Sequence, residues 1–323
     1  MLSRTAGHWY WMSRYLERAE STARLLDVNL SLSLDPQMLG DEAWTRVIAT
    51  TGDLDAFTRL RGAVTPDSAA AFLALDPLNP NSVASCAQFA RENARAVREY
   101  LPDEAWEAVN ALHLMLRASQ GGDGPGRLVG VLEAARLTAR QIDGLLGTSL
   151  LRDEAWHFHR LGQNLERADQ TSRLVDVQDT PSPGADEAVA ESRWEAVARS
   201  AGALAMYRRR HGGTQGPKMA EFLLLDGAFP RSPAFCLGAA EEALRAINGT
   251  PAGMFANAAE KSLARLAADL RTGEIEEILG QGLHEWLDRF QLRLNAVGDG
   301  IQRFYFEPPA VPAPAAEPPQ AQQ

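Results

Sequence analysis

Apolar residues recur at spacings of three and four along the N-terminal segment. Trp9, Met12, Leu16, Ala19, Ala23, Leu26 and Leu30 form one stripe, the signature of an amphipathic helix. Phe158, Leu161, Leu165, Ala168, Ser172 and Val175 repeat that stripe further along. "EAWTRVIATTG" and "SRWEAVARSAG" keep helical spacing, as do residues 127–147 and 274–297. No stretch alternates strictly between hairpin turns, so strands are not expected. "LDPLNPNS" is a Pro/Asn break in which Ser82 can cap the next helix, and Ser232-Pro233 is a favoured cap and first-turn pair. "SQGGDGPG" at 119–126 and "QDTPSPGAD" at 178–186 read as loops. The pattern predicts an all-α fold with seven or so helices in each half.

The chain also repeats itself. "RYLERAESTARLLDV" meets "QNLERADQTSRLVDV" at an offset of 149 residues. "FLALDPLNPNSVASC" at 72–86 meets "FLLLDGAFPRSPAFC" at 222–236, without a gap, at an offset of 150. Phe72, Leu73, Leu75, Asp76, Pro80, Ser82 and Cys86 find the same residue type there. Trp44 meets Trp194, Gly52 meets Gly202, and Arg95-Ala96 meets Arg245-Ala246. One register held this far indicates duplication. The expected units are 1–148 and 149–306, two tandem helical repeats related by a pseudo-twofold axis and packed into one array. The Pro/Ala-rich remainder, 307–323, is expected to be disordered.

Both copies of the motif carry charge opposite the stripe. At about 100° per residue, Arg14, Glu17, Arg18, Ser21, Leu25 and Val28 share the far face. Gln163, Glu166, Arg167, Gln170, Leu174 and Val177 share it in the second copy. Leu25, Val28 and their counterparts imply that this face also touches protein. Buried ions there need partners. Arg24 and Arg173 are expected to meet Glu17 and Glu166, seven residues earlier, with Asp27 and Asp176 extending the array. Three readings stand: a buried clasp between the halves, a cleft whose arginines bind a carboxylate or phosphate, or a solvated face repeated by descent. The repeat breaks at Arg14 against Gln163, Trp11 against Arg160 and Tyr15 against Asn164. Those breaks favour a site near the first copy.

Composition narrows the class. A chain of 323 residues suggests about two domains. A net charge of −10 without a basic run argues against nucleic acid. No apolar run reaches the roughly 20 residues of a membrane span, and the N-terminus lacks the layout of a signal peptide. Cys86 and Cys236 show no CxxC or Cys-His spacing and read as buried thiols in a reducing cytoplasm.

"YLERAESTARLLDV" and "NLERADQTSRLVDV", in a duplicated helical chain that also carries "FLLLDGAFPRSPAFC", closely resemble the bacterial alpha-E family. Its Glu-Arg pair maps onto Glu17-Arg18 and Glu166-Arg167. The resemblance implies a circularly permuted ATP-grasp protein as partner, often with a transglutaminase-like peptidase, in a system that forms or edits amide bonds. ATP and Mg are expected only through that partner. No catalytic residue is carried over.

Other chemistry is weakly signalled. There is no GxxxxGK[ST] and no GxGxxG entering a helix. Glu17 and Glu166 are followed three residues on by Glu20 and Asp169, not by the histidine of a di-metal bundle. His8, His157 and His159 read as hydrogen-bonded core residues, and no metal is expected. The expected function is a partner or substrate-presenting subunit of an ATP-grasp amide ligase. The alternatives are an enzyme using Glu17 or Glu166 as general base and a purely structural scaffold.

Overall fold

The computed structural model describes residues 1–33, 41–120, 125–177 and 187–307. The proposed tail lies outside them apart from Glu307, as do residues 178–186 and most of the "GGDGPG" turn. Among the described residues there are fifteen α-helices and no strand. Seven precede residue 150: α1 Ser3–Leu32, α2 Asp41–Thr50, α3 Leu54–Arg61, α4 Pro66–Ala74, α5 Val83–Ala96, α6 Asp103–Ser119 and α7 Pro125–Ser149. Eight follow: α8 Glu154–Asp176, α9 Glu187–Ser200, α10 Leu204–His211, α11 Gly216–Leu225, α12 Pro233–Asn248, α13 Ala258–Thr272, α14 Ile275–Gly280 and α15 Leu283–Ile301. The single helix expected over 274–297 is two, because Gly282 at φ +87 turns the chain between them.

Local chemistry recurs at matching positions. The Ser82 hydroxyl accepts from the Ser85 N–H at 3.1 Å, and Ser232 accepts from the Phe235 N–H at 3.1 Å. Each satisfies a first-turn donor that the helix cannot pair itself. Gly52 and Gly202 close the turns after α2 and α9 at φ +78 and +68, where a side chain would be strained.

α1 and α8 are the central elements. α1 packs on α5, α7 and α8, while α8 packs on α1, α12 and α15. The predicted stripes are buried throughout, with Leu30 half-buried. Two apolar clusters share these helices. Leu16 and Leu165 belong to one, whereas Ala19, Ala23, Leu174 and Val175 belong to the other. The Glu-Arg motifs therefore lie where one core gives way to the next. The π-turn Gln302–Phe306 folds back over this pair, with the Phe306 ring 5.1 Å from Tyr10 and 5.7 Å from Phe158.

The two helices nearly touch at Gly162. A Cβ there would collide with the Tyr10 carbonyl and lie 3.1 Å from the Tyr10 Cα. Gly162→Ala should therefore cost stability, since overpacking at about 1–3 kcal/mol outweighs the ~1 kcal/mol of helix propensity gained. Gly238→Ala is the control, because nothing lies within 4 Å of its added carbon. Urea denaturation should show Gly162→Ala less stable than wild type and Gly238→Ala at least as stable.

Candidate functional site

The two motifs face each other across the α1–α8 contact, and each glutamate is held by the other copy's arginines. Glu166 is fully buried, and Glu17 is 5% exposed. Arg18 grips Glu166 bidentately along one edge of its guanidinium, Nε to Oε1 at 2.6 Å and Nη2 to Oε2 at 3.0 Å. Arg14 Nε adds 2.8 Å to Oε2, and Gln170 Nε2 donates to Oε1 at 3.0 Å. Glu17 accepts from Arg167 Nε at 2.8 Å and from Arg231 Nη1 at 2.7 Å. Each carboxylate thus meets two guanidinium groups, the strong charge-assisted form of the hydrogen bond.

Arg231 is the residue that sequence reasoning passed over. It stands opposite Asn81 in the ungapped register. Asn81 instead accepts from Arg18 Nη1 at 2.8 Å and donates to Asp53 at 2.8 Å. The first copy supplies Arg14 and the second has Gln163; the second copy supplies Arg231 and the first has Asn81. The two breaks compensate, so each buried carboxylate keeps two cations. The signal was legible as an Asn-to-Arg difference inside an otherwise matching segment. The Arg14 break alone therefore does not mark a site.

The partners expected for Arg24 and Arg173 are corrected. Arg24 pairs with Glu20, and Arg173 Nε bonds Asp169 Oδ2 at 2.9 Å. Residues four apart are neighbours on a helix, whereas seven residues span about 10.5 Å of axis. Glu17 and Glu166 are also already saturated from across the interface. Arg231 Nη2 adds 3.0 Å to Glu20. Burial pushes the Arg24 guanidinium down to about 10, with Arg231 acting the same way and Glu20 opposing. Asp27 and Asp176 lie off the clasp. Asp27 binds Arg136 on α7, and Asp176 meets His284 and Gln291 on α15. Among the described residues, Asp176, His284 and Asp288 have donor atoms spaced for a metal ion, within 4.8 Å of one another. His284 and Asp288 are exposed, and the 2.6 Å contact of His284 Nδ1 with Asp176 Oδ1 is a hydrogen bond within the cluster.

Electrostatics separates structure from reactivity. Burial alone would raise Glu166, but Arg18 and Arg14 outweigh it and hold the carboxyl at about 2. A group so stabilised as an anion makes a poor general base. Burial pushes both thiols up to about 12, and each lies against a proline carbonyl, Cys86 on Pro80 and Cys236 on Pro230. His159 is driven down to about 3 by burial. Its Nδ1 lies 2.7 Å from the Ser13 hydroxyl, and its Nε2 has no hydrogen-bond partner among the described residues. His8 Nδ1 lies 2.9 Å from the Asn93 amide oxygen. Trp9 and Met12 are core. Trp11 lies at the edge, where its indole donates to Gln302 and carries Arg14 at 5.2 Å from the ring centre.

The sequence profile of the Alpha-E family, described as a predicted alpha-helical domain with a conserved ER motif, matches residues 1–306. The chain belongs to the Alpha-E family. Uncharacterized proteins of Mycobacterium bovis and Mycobacterium tuberculosis are each 25% identical to this Alpha-E chain over 316 aligned positions. Each match covers 89% of this chain, which spans about a third, 34%, of each relative. No solved structure matches it. Among the described residues, no helix is long and apolar enough to cross a membrane.

Two outcomes are expected. Glu17→Gln and Glu166→Gln each strand two buried cations. Both should lose about 3–5 kcal/mol in urea unfolding, and to similar degrees. Acid should destabilise the protein in two stages. His159 is neutral when folded, so its contribution is complete above its ordinary value of 6.5 and is lost as pH falls toward about 3. Glu166 contributes fully above 4.5 and loses its contribution as pH falls through about 2. Unfolding midpoints should fall as pH drops below 6.5, and His159→Gln should flatten that upper stage of the acid limb.

Proposed function

We propose that this Alpha-E chain is a cytoplasmic partner subunit of an amide-forming ligase, and that a circularly permuted ATP-grasp protein supplies ATP, Mg and acyl-phosphate chemistry. The observation that carries this reading is the closed state of the clasp. The duplicated acids, the obvious candidates for a base, are saturated by arginines, so Glu17 and Glu166 build a rigid platform rather than transfer protons. That disfavours an independent enzyme working through either of them. The length of the relatives supports the reading too. The matched segment occupies about a third of each, so there the same unit works joined to further protein. A transglutaminase-like protein is a further partner that family membership suggests.

The test is a reconstitution. The chain is purified alone and with a circularly permuted ATP-grasp protein from the same organism. Co-elution is expected, together with amino-acid-dependent ATP turnover that neither protein shows by itself. Separate elution, with turnover indifferent to this chain, would remove the reading.

A further inference from the structure

Beside the clasp, a cavity of about 250 Å³ opens between α1, α8 and α15. Trp11, Leu165 and Leu294 line it with apolar surface, while Arg14, Asp169 and Asp299 line it with charge. A cavity of roughly 150 Å³ already admits benzene. The space here therefore suits a molecule the size of one amino acid, below the usual drug-sized pocket.

Its charged groups retain hydrogen-bonding capacity. Arg14 directs Nε to Glu166 and Nη1 to the Tyr10 hydroxyl, and Nη2 has no bond among the described residues. Asp169 is 7% exposed; its Oδ2 accepts from Arg173, while its buried Oδ1 has no partner there. A buried carboxylate oxygen without a donor is costly to leave so. Asp299 is exposed at the rim and forms no ion pair among the described residues. The free Arg14 nitrogen therefore borders the same small space as the Asp169 carboxylate, with its unpartnered oxygen, and the Asp299 carboxylate at the rim, with an apolar wall between.

We infer that this cavity binds an aliphatic α-amino acid. Its ammonium lies toward Asp169 and Asp299, its carboxylate meets Arg14 Nη2, and its side chain rests on Trp11, Leu165 and Leu294. A simple anion such as phosphate would suffer repulsion from both aspartates. A simple amine would leave the Arg14 edge unmatched. A zwitterion answers both signs at once. The inference names the substrate class of the proposed subunit and rests on that reading for its purpose; binding itself needs no ligase.

Isothermal titration of the full chain tests it, with L-leucine, N-acetyl-L-leucine, L-leucinamide and inorganic phosphate as probes. L-leucine should bind saturably, and loss of either charge should weaken binding about tenfold or more. Asp299→Asn should weaken L-leucine similarly while leaving the unfolding midpoint unchanged. Gly298→Leu, which fills the cavity from α15, should abolish binding in a folded protein. No saturable binding of L-leucine overturns the inference. So does equal affinity for N-acetyl-L-leucine, L-leucinamide or phosphate, or unchanged affinity in either folded variant. Binding without co-elution of an ATP-grasp protein upholds the cavity and removes the ligase reading. Co-elution without binding does the reverse.

Discussion

Two carboxylates buried between two helices constrain everything around them. A glutamate taken out of water is tolerable only if its charge is answered by well-placed cations. Glu17 and Glu166 each find two guanidinium groups, and none of the four lies on the glutamate's own helix: Arg14, Arg18 and Arg167 reach across the α1–α8 contact, and Arg231 comes from the loop before α12. The close approach at Gly162 brings these groups within reach. Two apolar clusters flank the ionic layer and bury both carboxylates, while Arg14, Arg18 and Arg231 stay partly exposed at its margin.

This arrangement recasts the Glu-Arg motif. Glu and Arg adjacent in sequence point in different directions on a helix, so they do not serve each other. Arg18 serves Glu166, and Arg167 serves Glu17. The chemistry left available lies at the margin, where, among the described residues, Arg14 Nη2 has no bond and Asp169 keeps an oxygen without a donor. The central acids of this Alpha-E chain are sealed, and the recess beside them is the size of one amino acid.

Helices were legible from spacing, because burial of one stripe is a local property. The caps at Ser82 and Ser232 were legible because each rests on a single residue type. The identity of ion-pair partners was not. A helical wheel tells which residues share a face but not which neighbouring element that face meets. Arg24 and Arg173 were accordingly assigned to glutamates on their own helices, and the Arg231 contribution, from a loop preceding α12, was missed. The break at Gly282 was hidden because apolar spacing resumes in phase on either side of it.

The clasp also has a direction in time. Glu17 emerges early in synthesis, but Arg167 follows 150 residues later and Arg231 after 214. Until then its charge must stay hydrated, which keeps α1 from settling into its final packing. Contacts of such sequence separation carry a large loop-closure cost and form slowly. Within this chain α1 therefore precedes the arginines that complete its clasp, and its final packing depends on residues of the second half.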